Sequence, residues 1–260
     1  MKVDAVVLGG GDGEIIDPTV HVKGLVPIAN RPMIAWVIEA LRAAETIDEI
    51  IVVVPTDRDL GDWVANVDHI VVSESSFMDN ALAGFAALGD GRAVLAATGD
   101  LPARTPDAVD DFVGQALASG AEFTYPLVSA EDMEEQFPGS QRTYVKVDGG
   151  QVTGGNMMLL SPELVRRHRE LGQRLFDARK SPVRMAQVLG LPFIAKYLTG
   201  VLRVHDVELK MEQLLGAKCA AIRTHFAAIG ADVDKPIDVV VAERVLYRRG
   251  SGRNAANPAE

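Results

Sequence analysis

The N-terminal stretch Val3-Asp4-Ala5-Val6-Val7-Leu8-Gly9-Gly10-Gly11-Asp12-Gly13-Glu14 decides the reading of the fold. Val3 to Leu8 is a short β-branched run, the composition of a parallel strand buried on both faces. Gly9, Gly10, Gly11 and Gly13 then leave the backbone almost bare. Such a loop can take positive φ and turn consecutive N–H groups toward an anion, typically the phosphates of a nucleotide. Lys23 follows on the same connection, where its ammonium can meet a phosphate as a point charge. Asn30 can cap the next helix, with Arg31-Pro32 in its first turn.

Two other glycine loops fit this stretch poorly. A dinucleotide-binding loop opens directly into a helix whose N-terminus holds the pyrophosphate, whereas here an interval containing Pro18 and Pro27 comes first. A P-loop ends in Gly-Lys-Ser/Thr, which is absent. A plain glycine-rich surface turn is the remaining alternative.

The motif Leu8-Gly9-Gly10-Gly11-x-Gly13, followed by Lys23-x-Leu25-x-Pro27 and Arg31-Pro32-Met33-Ile34, resembles the signature of MobA-like nucleotidyltransferases. These are related to molybdenum-cofactor guanylyltransferases and sugar-1-phosphate nucleotidylyltransferases. The family loop is Leu-Ala-Gly-Gly-x-Gly-x-Arg followed by Lys-x-Leu. The position of its arginine, which helps hold the departing pyrophosphate, falls here on Glu14 or its neighbours. The resemblance implies an α/β fold, a mainly parallel sheet flanked by helices, of the nucleotide-diphospho-sugar transferase (GT-A-like, Rossmann-like) kind.

Composition allows this. A chain of 260 residues can bury a sizeable core, and 48% hydrophobic with 24% charged residues is ordinary for a globular protein. A formal net charge of −10 argues against nucleic acid or an anionic membrane as the main partner. The single cysteine, Cys219, excludes an intramolecular disulfide. Met1-Lys2 passes straight into the first strand without an apolar leader, and no apolar run is long enough to cross a bilayer. A cytoplasmic protein is the expectation.

Along the chain, helix and strand alternate: a helix over Pro32–Ala44, strands over Ile50–Val54 and His69–Val72, a helix over Met78–Leu88 and a strand over Ala93–Ala97. This alternation predicts a parallel sheet. His69 beside Asp68 reads as structural rather than as a ligand. Ser76, Asp79 and Asn80 carry hydrogen-bonding side chains at the join before the Met78 helix. By resemblance that join lies beside the nucleotide base and ribose; helix capping is the alternative, and the two can coexist.

The strand at Ala93–Ala97 runs into Thr98-Gly99-Asp100-Leu101-Pro102. A carboxylate beyond the carboxyl end of a strand can hold a hard divalent cation, or can simply make an Asx turn. The block matches the family's Gly-Asp-x-Pro, whose aspartate binds magnesium. Thr105-Pro106 then starts the next helix.

From Glu122 the pattern changes: a strand is expected over Phe123–Val128, then an acceptor-binding excursion over about 129–215 inserted in one domain over 1–248, ahead of a tail over 249–260. Strands are expected over Arg142–Val147 and Val152–Leu160. Gly154-Gly155 would permit a close ligand, and Asn156 offers both donor and acceptor; by resemblance Gly155 and Asn156 touch the acceptor, with a β-bulge as the alternative. Helices are expected over Ser161–Gly172, over Pro182–Leu198 with a break at Gly190-Leu191-Pro192, and over Val207–Leu215. Arg179 and Lys180 precede a helix start, where anions are favoured, and are assigned to an acceptor phosphate.

After a strand over Lys218–Arg223 comes Asp232-Val233-Asp234-Lys235-Pro236-Ile237-Asp238, with a last helix expected from Pro236 through Leu246. It resembles the family's Asp-Ile-Asp-Thr-Pro segment, with Lys235 and Ile237 as departures. Asp234 is the expected second metal ligand, Asp232 the reserve, and a helix cap the alternative.

The expected chemistry is Mg2+-dependent nucleotidyl transfer. An NTP lies over Leu8, the glycine loop and Lys23, with the catalytic set Lys23, Asp100 and Asp234. A phosphorylated small molecule attacks the α-phosphorus and displaces pyrophosphate. A GT-A-type glycosyltransferase is one alternative, though Asp100-Leu101-Pro102 lacks the second aspartate of an Asp-x-Asp. A non-catalytic nucleotide-binding regulator is the other.

Overall fold

The computed structural model describes residues 1–88, 93–178 and 181–256. Strand β1 (Val3–Leu8) leads through the glycine loop to a tight hairpin of β2 (Pro27–Ile28) and β3 (Arg31–Pro32), then to α1 (Met33–Ala43). Asn30 is not a helix cap: Ala29 (φ 48°) and Asn30 (φ 64°) form the hairpin turn, and Pro32 stands at the N-cap of α1. The two-residue loop with positive φ at both positions matches the right-handed strand twist, and that requirement overrode capping chemistry. Helix α1 buries Ile34, Val37, Ile38 and Leu41 completely, as their helical spacing predicts. Each contributes about 1.5–3 kcal/mol of burial free energy.

Next come β4 (Ile47–Val54), β5 (His69–Val72), α2 (Phe77–Ala86), β6 (Val94–Thr98), α3 (Pro106–Ser119) and β7 (Phe123–Ser129). Thr105 caps α3 through the Ala108 amide, Pro106 occupies its first turn, and Gly120 closes it in a left-handed conformation. Between β4 and β5 lies a 3-10 turn over Asp62–Asn66.

The excursion contains α4 (Ala130–Gln136), β8 (Val145–Val147), β9 (Gly150–Gly154), β10 (Met157–Leu160), α5 (Pro162–Arg167), α6 (Arg169–Ala178), α7 (Pro182–Leu189), α8 (Leu191–Thr199) and α9 (Val204–Leu215). The chain ends with β11 (Cys219–Thr224) and α10 (Pro236–Ala256), so the last helix runs well past Leu246 into the stretch expected as a tail. The expected strand over Val152–Leu160 is two strands, divided at Gly155-Asn156. The helix expected over Ser161–Gly172 breaks at His168, between α5 and α6. No helix among the described residues is long and apolar enough to cross a membrane.

One sheet of the described residues runs β5-β4-β1-β6-β10-β7-β9-β8, and β11 lies along β7. β5, β4, β1 and β6 pair in parallel, as do β7 and β11. β10 and β9 run against these strands. Residues of β1 point alternately to two cores: Val3, Ala5 and Val7 toward α1 and α3, and Val6 toward α2. Apart from Asp4, which accepts from the Glu49 amide, both faces are therefore apolar, which is why the strand reads as a nearly continuous hydrophobic run. From β1 the chain fills one side of the sheet with β4 and β5, then crosses to β6 on the other. The carboxyl ends of β1 and β6 thus form a topological switch point, where ligands of open α/β sheets bind.

Helix α2 can sit close on the sheet because residue 84 has no side chain. A Cβ on Gly84 would lie 2.4 Å from Val6 Cγ1 and 2.9 Å from Val53 Cγ2. Both valines are core residues without room to move, so Gly84→Ala should cost about 1–3 kcal/mol of stability in chemical denaturation. A loss below half a kcal/mol would mean that α2 can lift from the sheet freely.

Candidate active site

Register places the two key loops side by side. Leu8 pairs with Thr98, and the Gly99 amide donates to the Leu8 carbonyl at 2.9 Å. A Cβ on Gly99 would stand 3.2 Å from Gly9 Cα, so bare backbone is needed on both strand ends. The glycine loop then folds back on itself. Asp12 bridges Val22, the Gly13 amide donates to His21 O and the Lys23 amide donates to Gly11 O, both at 2.9 Å. Gly9 N is likewise taken, by Val53 O at 2.8 Å. The Gly10 and Gly11 amides have no protein acceptor among the described residues, and Gly11 holds a φ of 101°. Within the loop, then, these two positions can face an anion. Gly13 is small for a different reason, since its Cβ would meet Val20 O at 2.3 Å.

The stem of Lys23 lies against Gly11 and carries its ammonium to the carboxylates: Nζ donates to Asp100 Oδ2 and to Asp234 Oδ1, each at 2.5 Å. The Lys23 side chain is only 14% exposed. Burial alone would lower its pKa, but Asp100 and Asp234 together raise it above the ordinary value, so the ammonium stays charged. Thr98 Oγ1 donates to the second Asp100 oxygen, Oδ1, at 2.5 Å and fixes the carboxylate plane. Oxygens of Asp100, Asp232 and Asp234 all lie within 4.8 Å of one another. The sequence offered Asp232 only as an alternative to Asp234; folding brings both to Asp100. This hard, all-oxygen donor set fits a magnesium-like cation.

Three further residues complete the site, and none was identified from the sequence. Arg142, 10% exposed, donates to the Asp232 carboxylate and carbonyl and stands 3.8 Å from Asp238 Oδ1. Asp238, in the first turn of α10, accepts from the Asp234 amide at 3.0 Å and the Lys235 amide at 2.9 Å. Asp238 thus satisfies the helix start, while the Asp234 carboxylate is turned to Lys23. An acid at the third helical position after a proline is a readable signal for this role. Arg104 is 3% exposed beside Asp100, with Nη2 on Thr98 O at 3.4 Å and with Nε and Nη1 unpaired. Burial pulls its pKa down to about 10, and the charge of Asp100 opposes that shift.

The other expected residues divide. Asn156 joins the site's edge: β10 runs against β6, and the Asn156 carbonyl accepts from the Thr98 amide at 3.2 Å. Gly155 is small because of packing, since its Cβ would meet Ile229 Cγ2 at 2.4 Å. Ser76 caps α2 through the Asp79 amide. Asp79 accepts from Arg169 Nε at 2.6 Å and Nη2 at 2.8 Å, strapping α2 to α6. Asn80 accepts from Ser73 Oγ and Ser75 N and donates to Ser75 O, shaping the loop before α2. Glu14, near the family's arginine position, pairs with exposed His21. Arg179 and Lys180 lie outside the described residues.

Burial, then Asp100 and Asp234, push Asp232 up to about 6 from 3.8, against the pull of Arg142 and Lys23. The folded metal-free protein therefore holds a proton that the unfolded chain has already lost. The associated stability is full below pH 3.8 and is lost as pH rises through about 6. Asp232→Asn should make the metal-free protein more stable than wild type at pH 7, by about 1–3 kcal/mol, and leave it nearly equal at pH 4. Denaturant midpoints at the two pH values check this, and a variant less stable than wild type at pH 7 would contradict it.

Comparison with known proteins adds four findings. The profile of the family described as MobA-like NTP transferase domain matches residues 5–188. Over 120 residues, 45% of this chain, the sequence is 32% identical to the bifunctional protein GlmU of Rhodospirillum rubrum; the match spans 27% of that protein's length. Among solved structures, a hypothetical transferase from Thermus thermophilus superposes with a TM-score of 0.81 at 32% identity, covering 92% of this chain and all of that one. The 4-diphosphocytidyl-2C-methyl-D-erythritol synthase of Anaerococcus prevotii shares the fold, with a TM-score of 0.58 at 13% identity over 95% of this chain and 99% of that one.

Proposed function

The chain belongs to the MobA-like NTP transferase domain family, and from that premise we propose that it transfers a nucleotidyl group from an NTP to a phosphorylated small molecule with release of pyrophosphate. One observation carries the reading: two unpaired glycine-loop amides, one buried lysine and a carboxylate cluster share the switch point between β1 and β6. Asp100 and Asp234, with Asp232 beside them, would hold Mg2+, which when bound supplies charge neutralisation on phosphate oxygens. The Gly10 and Gly11 amides would cradle the triphosphate, and Lys23 would neutralise it. An acceptor phosphate oxygen attacks the α-phosphorus, and the bond from that phosphorus to the β-phosphate's bridging oxygen breaks. No proton need move between unprotonated phosphates, so positioning and charge do the catalysis.

Ser76, Asp79 and Asn80 are assigned to the base and ribose side, and Gly155, Asn156, Arg179 and Lys180 to the acceptor side, of a domain over 1–248. A cytoplasmic setting goes with this reading, supported by the single, buried, unpaired Cys219. Glu14 at the arginine position favours a second reading, nucleotide binding without turnover.

The test is each of the four common NTPs with Mg2+ and a panel of sugar phosphates, polyol phosphates and phosphorylated cofactor precursors, followed by phosphate-coupled pyrophosphate detection. Pyrophosphate formed in proportion to a nucleotidylated product supports transfer. Nucleoside diphosphate released from a nucleotide sugar would assign a glycosyltransferase instead. NTP binding without product across the panel would favour the regulator.

A further inference from the structure

We propose that Lys23 is the resident counter-ion of the Asp100–Asp234 pair and yields that place to a divalent cation, so that metal entry frees its ammonium for the phosphates. The inference rests on the reading of the carboxylate cluster as a cation site. Lys23 Nζ lies 2.5 Å from one oxygen of each carboxylate. A magnesium-like ion binds such oxygens at about 2.0–2.1 Å. Sharing the same two oxygens would hold charges of +1 and +2 within about 4 Å, a strongly repulsive arrangement in a partly desolvated site. One of the two must leave.

Of the cations described around the cluster, Lys23 is the one able to go. Arg142 is fastened to the Asp232 carboxylate and carbonyl. Arg104 is 3% exposed and enclosed. Lys23 stands on an unbranched stem along the glycine loop, within the same turn as Gly10 and Gly11, whose amides await an acceptor. A second, independent sign of a ligand in this corner is Arg104 itself, whose buried Nε and Nη1 have no partner beside Asp100.

Charge counting points to the consequence. Among the described residues, four carboxylates (Asp100, Asp232, Asp234 and Asp238) face Lys23, Arg142 and Arg104, so the cluster is within one charge of balance without metal. A divalent cation entering alone leaves an excess of positive charge, and a polyphosphate arriving alone finds its lysine engaged. Each therefore favours the other, and the two bind cooperatively, with Lys23 as the part handed between them.

The experiment uses Mn2+ alone, without nucleotide, in two arms. In the first, the free-Mn2+ electron paramagnetic resonance signal gives the affinity of wild type and Lys23→Met. The variant should bind about 10-fold or more tightly than wild type, the scale of ordinary coupling between sites. In the second, wild-type protein is labelled with acetic anhydride with and without Mn2+, and acetylation of Lys23 is followed by mass spectrometry. Mn2+ should accelerate it several-fold, because the amine leaves its carboxylates. This arm decides the matter alone if the variant does not fold. Equal Mn2+ affinities, or Lys23 labelling slowed or unchanged by Mn2+, overturn the counter-ion role and leave the metal reading standing. No Mn2+ binding to either protein overturns both.

Discussion

Asp100→Asn and Asp234→Asn should each lower Mg2+-dependent nucleotidyl transfer by about 10³-fold or more, at least the effect of losing one preorganised charge stabiliser of a transition state. The two carboxylates stand on elements separated by about half of the chain, yet both contact Lys23 Nζ at 2.5 Å. Either change removes a carboxylate oxygen of the proposed cation site and half of the lysine's anchorage. The double variant should then be little worse than either single one, because groups acting as a unit do not contribute additively. Both variants should remain folded: each substitution keeps shape, and the surrounding β6 and α10 starts are held by Thr98, Asp238 and the sheet. Initial rates at saturating acceptor, together with calorimetric metal titration, would check this. Retention of metal-dependent turnover in Asp234→Asn would remove Asp234 from the ligand set and leave Asp232 in its place.

The second large effect is on stability. Arg142→Met should destabilise the protein by about 3 kcal/mol at pH 7, the scale of breaking a buried ion pair by deleting one partner. Asp232, 20% exposed at its side chain, would lose its cation while still facing Asp100 and Asp234. The Asp232 carbonyl would lose a donor as well, and Asp238 the nearest positive charge. For a chain of this size the melting temperature should fall by roughly 6–12 °C. Lowering the pH toward 5 should shrink the loss, since Asp232 already tends toward its neutral form below about 6. A loss under 1 kcal/mol that does not change with pH would show that Arg142 only covers the site.

The sequence alone determined those features whose physics is local. β1 was legible because a strand buried on both faces is apolar at nearly every position, here at all but Asp4. Lys23 and Asp100 stood out because turn chemistry brackets them with Gly9 to Gly13 and with Gly99 and Pro102, whereas Asp234 stood out through the resemblance of its segment to the family's. Helices α1 and α3 announced themselves by periodicity, a threonine cap and a proline start. The choice between Asp232 and Asp234 was narrowed to one short segment, and the fold brings both carboxylates within 4.8 Å of Asp100.

What remained was decided by tertiary structure. Nothing in the residues around Arg142 says that its guanidinium reaches Asp232, ninety positions away; a long side chain finds its partner only after the backbone has placed both. The insertion of β10 between β6 and β7 likewise depends on which strand edges are open, a property of the whole sheet. That insertion carries Asn156 to the Thr98 end of the site, and no spacing rule foretells it. For Ser76, Asp79 and Asn80 the sequence left nucleotide contact and helix capping side by side, because hydroxyl, carboxylate and amide groups serve caps, straps and substrates with the same atoms. Gly155 looked open for the same kind of reason: a missing side chain shows that something comes close, and only the fold shows that the neighbour is Ile229.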